Sequence, residues 1–433
     1  MESALKTEII YWYLIKTSAL NVFRNYKKSI MMVISLSLGI TGLLLITSYV
    51  HRINHAVEVK TVFLDAKGHL AIIKKKSLQN LGTSFKKNLL KNEDLTAISS
   101  YLKTVPHVFY SKIITAEGFI NSSSNTVGFF ALGVEFSKIQ SIFNNINVKL
   151  HIPDWVDRSE PFLKNIDLKN NPISITPFMK DNLKINLGDD IQIISQDVEN
   201  SLAVIEAQVA STHTTGMELK DTAHLIGSYE SISNLLQTDK MKYLAIFCKT
   251  SCDITKLQHK IQKLIDTNSL NLEVKTFEDK LWNPYYHGTR SFLYFVGGFF
   301  SLLVILSSGL AILSFNYLNF EERKNEIGLL RSIGYTKKQT LFYFVGESFL
   351  ISSFSLACGL ILGLNLVSYI NSLQITFTPP GLSKEIFFQL ETSGPSLLFI
   401  CMLYLTFSVF ISFFVALKHL KSELNALLNN CGV

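Results

Sequence analysis

Apolar and polar positions divide the chain into two kinds of segment. Four long runs are almost wholly apolar, at 29–50, 291–318, 341–370 and 392–417. Three of them contain no charged residue, and the third contains one, Glu347. Each is long enough for the roughly 20 residues a membrane-spanning helix needs. The first three carry interior glycines such as Gly39, Gly297, Gly359 and Gly363, which let spanning helices approach closely. The long segment 51–290 has a different pattern. Runs rich in β-branched and aromatic residues, beginning at His69, Ile191 and Tyr243, predict strands. Leu257, Ile261, Leu264 and Ile265 recur at helical spacing, with Asp253 placed to cap that helix. The pattern predicts an α-helical membrane domain with four transmembrane helices. It also predicts a large external α+β domain, inserted between helices 1 and 2.

The expected boundaries are a cytoplasmic entry segment at 1–28, helix 1 at 29–50, the external domain at 51–290 and helix 2 at 291–318. A loop at 319–340, helix 3 at 341–370, a short external loop at 371–391, helix 4 at 392–417 and a cytoplasmic tail at 418–433 follow. Composition agrees with a membrane protein carrying a sizeable water-soluble part: 48% hydrophobic, 17% charged, mean hydropathy +0.25. The first apolar run is too long for a signal-peptide core and follows about 28 residues with no visible small-residue cleavage site, so it reads as a retained anchor.

Charge sets the orientation. Lys6, Lys16, Arg24, Lys27 and Lys28 precede helix 1; Arg323, Lys324, Arg331, Lys337 and Lys338 lie between helices 2 and 3; Lys418 and Lys421 follow helix 4. The 371–391 loop has only Lys384. Positive residues collect on the cytoplasmic side. Both termini and the 319–340 loop are therefore expected in the cytoplasm, and 51–290 outside. The net charge of +7 then marks cytoplasmic loops, not a nucleic-acid partner.

Catalytic signatures are missing from the sequence: there is no G-x-x-x-x-G-K-S/T, H-E-x-x-H, C-x-x-C or G-x-S-x-G. His51 and His55 share helical spacing but lack a third ligand, so they read as interfacial or solvated, and no metal site is expected. Cys248 and Cys252 are candidates either for a disulfide or for two free thiols; four residues at a strand end is an awkward span for a bridge. Glu347 admits two readings. An acid inside the membrane is by default a functional candidate; the plainer reading pairs it near the cytoplasmic boundary with Lys337, Lys338 or another helix.

The 319–340 loop carries the most information. Read as a helix, it lines up Ile327, Leu330 and Ile333, with Leu329 beside them, while Glu322, Arg323, Lys324 and Glu326 lie largely away from that stripe. Gly334 suits a left-handed C-terminal cap. Thr336 and Gln339 form a capping box that opens helix 3. A short amphipathic helix thus sits between two spanning helices, either floating on lipid headgroups or docking a cytoplasmic partner.

The segment from Phe320 to Gly334, FEERKNEIGLLRSIG, resembles the coupling-helix signature of the FtsX-like ABC permeases. That family includes MacB and the lipoprotein-release subunits LolC and LolE. Residues 21–28, NVFRNYKK, resemble the family's basic entry helix; Leu187 to Asp190 loosely resemble an external-domain turn. Thr215, Gly216 and Met217, with Asp221, are similar to a segment of lipoprotein-release members, and Phe377 to Ser383 resemble a Pro-Pro-Gly loop of some relatives.

The resemblance implies a permease subunit in a bacterial inner membrane, surrounded by lipid. It implies a partner, a cytoplasmic ABC ATPase in two copies, which holds the ATP and Mg; this chain is expected to bind no cofactor and to be no enzyme itself. A second permease subunit, as homodimer or heterodimer, and a periplasmic carrier or adaptor are further implied partners. Glu322, Arg323, Glu326, Ile327, Gly328, Leu330, Arg331 and Gly334 would couple to the ATPase. Thr215, Gly216, Met217 and Asp221 would mark a substrate or partner region. ATP-driven closure below the membrane would move the external domains. Lipoprotein release is the leading function; MacB-like efflux of peptide or drug, and FtsX-like signalling to a cell-wall hydrolase, are the alternatives. A receptor would need a cytoplasmic output domain, and the tail is short for one.

Overall fold

A computed structural model describes residues 16–78, 85–122, 125–146, 170–213, 223–249, 252–378 and 385–420. Its helices are, in chain order, α1 (16–24), α2 (Tyr26–Val59), α3 (Thr96–Thr104), α4 (Phe136–Ile146), α5 (Pro177–Leu183), α6 (Tyr229–Leu235), α7 (Ile254–Thr267), α8 (Pro284–Glu322), α9 (Lys324–Ser332), α10 (Lys337–Ser372) and α11 (Gly394–Leu420). The strands are β1 (Leu70–Lys74), β2 (Val108–Asn121), β3 (Thr126–Val134), β4 (Pro172–Ile175), β5 (Asp190–Gln196), β6 (Leu202–Thr212), β7 (His224–Ser228), β8 (Tyr243–Cys248), β9 (Leu272–Thr276), and the short pair β10 (Thr376–Phe377) and β11 (Ile386–Phe387). Two compact units result. One takes in the chain to Ile53, Phe292–Ile375 and the chain from Phe388; the other takes in Asn54–Ser291 and Thr376–Phe387.

Four helical stretches are long and apolar enough to cross a membrane: Tyr26–Leu64, Pro284–Glu322, Lys337–Ser372 and Gly394–Leu420. All are longer than their apolar runs, the last by a single residue and shifted toward the C-terminus. Hydropathy marks only the apolar part, whereas backbone hydrogen bonding carries the helix on through polar flanks such as Tyr26 to Lys28. Within the first unit, α10 turns a seam of Ser348, Ser352, Ser355, Gly359 and Gly363 inward. Small side chains there bring backbones together: Thr41 Oγ1 donates to the Gly359 carbonyl at 3.1 Å. A polar ladder joins α8, α10 and α11. Ser348 Oγ donates to Asn316 Oδ1 at 2.6 Å, Asn316 Nδ2 donates to Ser412 Oγ at 2.9 Å, and Ser352 and Ser408 share a further hydrogen bond. Such bonds hold helices together where surrounding lipid supplies no hydrophobic drive.

The second unit is α+β, with a nine-stranded sheet ordered β3-β7-β4-β6-β5-β2-β8-β1-β9 among the described residues. β3 also pairs with β2, so β2, β3, β7, β4, β6 and β5 close into a ring. Ile114, Ile120, Ile173, Ile193, Val209 and Leu225 belong to its core. Helix α7 packs Leu257, Ile261 and Ile265 inward, and Asp253 caps it by accepting from the Lys256 amide at 3.0 Å. Cys248 and Cys252 are free thiols, and burial raises the Cys248 pKa.

Candidate functional site

The sequence FEERKNEIGLLRSIG does not form one helix. Phe320 to Glu322 end α8, the chain turns at Arg323, and α9 is short, running Lys324–Ser332. Gly334 then adopts φ +105°, a left-handed conformation that suits glycine. Thr336 Oγ1 accepts from the Gln339 amide at 3.3 Å, and Gln339 Oε1 accepts from the Thr336 amide at 2.9 Å. This reciprocal cap starts α10 directly after α9.

Arg323 departs from the outward position its sequence suggests. It is only 6% exposed, and the acid it meets, Glu347, is 2% exposed. Arg323 Nη1 donates to Glu347 Oε2 at 2.6 Å, Nη2 to the Tyr343 hydroxyl at 2.8 Å, and Nε to Glu326 Oε2 at 2.7 Å. Its guanidinium also lies over the Phe344 ring, 4.9 Å from the centroid. Burial acts to lower the Arg323 pKa, but the Glu347 carboxylate leads the groups that reverse this and raise it. The guanidinium therefore stays charged. Glu347 is thus paired with Arg323 of the α8–α9 turn, and not with Lys337 or Lys338.

The entry helix joins the same cluster. α1 buries Ser18 and Asn21 and leaves Leu20 and Phe23 exposed. Asn21 Nδ2 donates to Glu347 Oε2 at 3.2 Å, and Ser18 Oγ donates to the Tyr343 carbonyl at 3.0 Å. Arg24 Nη2 reaches Glu326 Oε1 at 3.1 Å, and exposed Glu322 pairs with Lys28. Glu347 is therefore shared by α1, the α8–α9 turn and α10, while Phe320, Ile327, Tyr343, Phe344, Ala416 and Leu420 form the apolar support.

The α9 surface divides in two. Ile327 and Gly328 are buried, and Leu330 and Arg331 are half-buried. Leu329 is 60% exposed and Ile333 69%. At about 100° per residue they lie well round the helix from Ile327, so the broad stripe cannot all face inward. Arg331 Nη1 is enclosed with no acceptor among the described residues. Thr215, Gly216, Met217 and Asp221, and the Pro-Pro-Gly segment, lie outside the described residues.

Residues 298–424 match the family model for the FtsX-like permease C-terminal domain. The comparison with curated proteins found no match. Among solved structures, the chain is similar to the extracellular domain of the noncanonic ABC-type transporter YknZ from Gram-positive bacteria. The TM-score is 0.33 and the identity 12%, over 48% of this chain and 99% of that one. It is also similar to the periplasmic region of MacB from Actinobacillus actinomycetemcomitans, with a TM-score of 0.33 and 10% identity, over 48% of this chain and 87% of that one.

Proposed function

We propose that this chain, whose residues 298–424 match the family model for the FtsX-like permease C-terminal domain, is the membrane subunit of an ABC-type transporter driven by a separate ATPase. The sequence has no phosphate-binding loop of its own. In this reading two cytoplasmic ATPase copies hold the ATP and Mg, and a second permease subunit completes the complex. The family resemblance implies a bacterial inner membrane, and the Lys and Arg distribution supports α9 and both termini in the cytoplasm. The exposed apolar side chains of α1, Leu20 and Phe23, suit the lipid interface there.

The observation that carries the reading is α9 itself, a helix between two long apolar helices with Leu329 and Ile333 uncovered. An apolar pair rimmed by charge suits a protein partner. Arg323 and Glu326 tie the start of α9 to α1 and α10, so force on α9 reaches both helices without first bending a loop. The cargo we favour is an amphiphile, lipoprotein release first, with peptide or drug efflux or signalling to a cell-wall hydrolase as alternatives, and a periplasmic carrier or adaptor as the receiver.

The test is co-purification from membranes with the candidate ATPase. Leu329→Asp and Ile333→Asp should each abolish the complex while leaving the thermal unfolding of the purified chain unchanged. Retention of the ATPase by both variants would remove α9 as its docking site.

A further inference from the structure

A cleft of about 690 Å³ opens in the α+β unit, within the size range of ligand sites. Its floor is a break in the sheet. At Ile113, β2 pairs with both β3 and β8, which therefore lie on opposite edges; from Gly118 to Asn121 it pairs with both β3 and β5. Hence β8 and β5 share one edge of β2, and among the described residues no strand pairs with residues 114–117 on that edge. β8 stops because the chain before it turns away, Met241 bridging to Leu90; β5 stops in a turn where Asp197 accepts from the Glu199 and Ser201 amides, each at 2.8 Å.

The uncovered edge carries specific groups. Successive strand residues point their amide and carbonyl to alternate edges. The Ile113 carbonyl accepts from the Lys242 amide at 2.8 Å, and the Glu117 carbonyl accepts from Ser195 Oγ at 2.7 Å, both on the β8–β5 side. Alternation places the Thr115 amide and carbonyl and the Glu117 amide on the same side. Among the described residues no partner takes them. An extended backbone in this slot would continue the line of the two strands.

The charge around the slot is directional. Lys67 lines the cleft, donating to Asn283 Oδ1 at 3.1 Å and lying 5.7 Å from the Trp282 ring centroid, which makes an edge contact with Tyr243 at 4.9 Å. Tyr243 opens β8, so Lys67 stands at the β8 end. No carboxylate among the described residues forms an ion pair with it; nearby Asp65 is taken by Lys60 at 2.8 Å. Burial lowers the Lys67 pKa, with nearby Asp65 acting against that shift and Lys60 adding to it. β5 and β8 both run antiparallel to β2. A segment inserted between them in the same sense would end at Lys67.

We propose that this cleft binds the carboxyl-terminal end of an extended peptide, laid antiparallel beside Thr115 and Glu117 with its terminal carboxylate at Lys67. The mode is strand addition, in which backbone bonds supply affinity and the end groups set direction. The site stands independently of the ATPase reading, since its occupancy requires no nucleotide.

Saturation-transfer NMR on the full chain in detergent micelles tests this. The probes are Ala-Xaa-Ala-Xaa tetrapeptides, with Xaa valine, leucine, phenylalanine or serine, each as free acid and as carboxamide. The free acids should bind, and amidation should weaken them about tenfold, the loss of a charge-assisted hydrogen bond. Lys67→Gln should bind acid and amide alike, and N-methylation of the peptide backbone should weaken binding in both proteins. Absence of binding by every free acid, or equal affinity for acid and amide in the unaltered chain, would overturn the proposal. Displacement of the peptide by an equal concentration of acetate would reduce the site to an anion site and overturn the peptide reading.

Discussion

Arg323 and Glu347, separated by 24 positions, form a buried ion pair of 2.6 Å that joins the turn between α8 and α9 to the third turn of α10. The pair is held from several sides: Tyr343 and Glu326 share the guanidinium, and Asn21 shares the acid. Breaking one partner leaves the other charged and enclosed, which typically costs about 3–5 kcal/mol. Glu347→Ala and Arg323→Ala should each destabilise the purified chain by about that amount in denaturant titrations. The double variant should cost much less than their sum. Strict additivity would mean the pair carries no coupling.

Glu326 divides its carboxylate between Arg323 and Arg24. Charge reversal there would disturb the cluster as well as any partner surface. Glu326→Arg should therefore lower thermal stability, whereas Leu329→Asp and Ile333→Asp, on exposed positions, should not. Differential scanning fluorimetry separates the two outcomes, and equal melting shifts in all three variants would contradict this division of α9 into an anchored and a free side.

Several of these elements are legible in the sequence. The four long helices follow from apolar length, the α10 start from Thr336 and Gln339, the turn before it from Gly334, and the α7 start from Asp253. The Arg323 pair is not legible, because a charged residue in a charged run reads as solvated and its partner belongs to a different helix. The split of α9 is also hidden: a helix as short as Lys324–Ser332 cannot bury every apolar position of a broad stripe. The open edge of β2 depends on where Met241 and Asp197 divert their strands, and long-range pairing of that kind has no local signature.

Three histidines of the α+β unit set an acid limit on stability. Burial lowers the pKa of His69 from 6.5 to about 4, and that of His224 likewise to about 4. Burial, with His224 as a second cause, pushes His213 well down. His213 Nδ1 lies 3.0 Å from Ser174 Oγ, and its Nε2 lies 3.1 Å from His224 Nδ1. Each ring is neutral when folded but takes a proton when unfolded. Stability is therefore complete above about pH 6.5 and falls as the pH drops toward 4, by about 1.4 kcal/mol per unit for each histidine. Below the folded value both states are protonated and the loss stops. A melting-temperature titration should show this decline, and His69→Gln should make it shallower; an unchanged slope would mean that His69 takes up its proton equally in both states.

Gly359 and Gly42 make a controlled comparison within the helical unit. A Cβ on Gly359 would stand 2.8 Å from Ile40 Cβ and 2.9 Å from the Ser37 carbonyl oxygen, both on α2. Neither can yield without moving the helix backbone, and the Thr41 hydrogen bond to the Gly359 carbonyl would stretch with it. A Cβ on Gly42 would meet nothing within 4 Å. Gly359→Ala should therefore destabilise the chain by about 1–3 kcal/mol, the usual cost of overpacking. Gly359→Leu should prevent recovery of folded protein from membranes. Gly42→Ala should leave stability unchanged or raise it slightly, since alanine is the better helix former by about 1 kcal/mol. The measurement is the unfolding midpoint of each purified variant in one detergent. Equal midpoints for the two alanine variants would show that α2 and α10 do not approach as closely as Thr41 and Gly359 require.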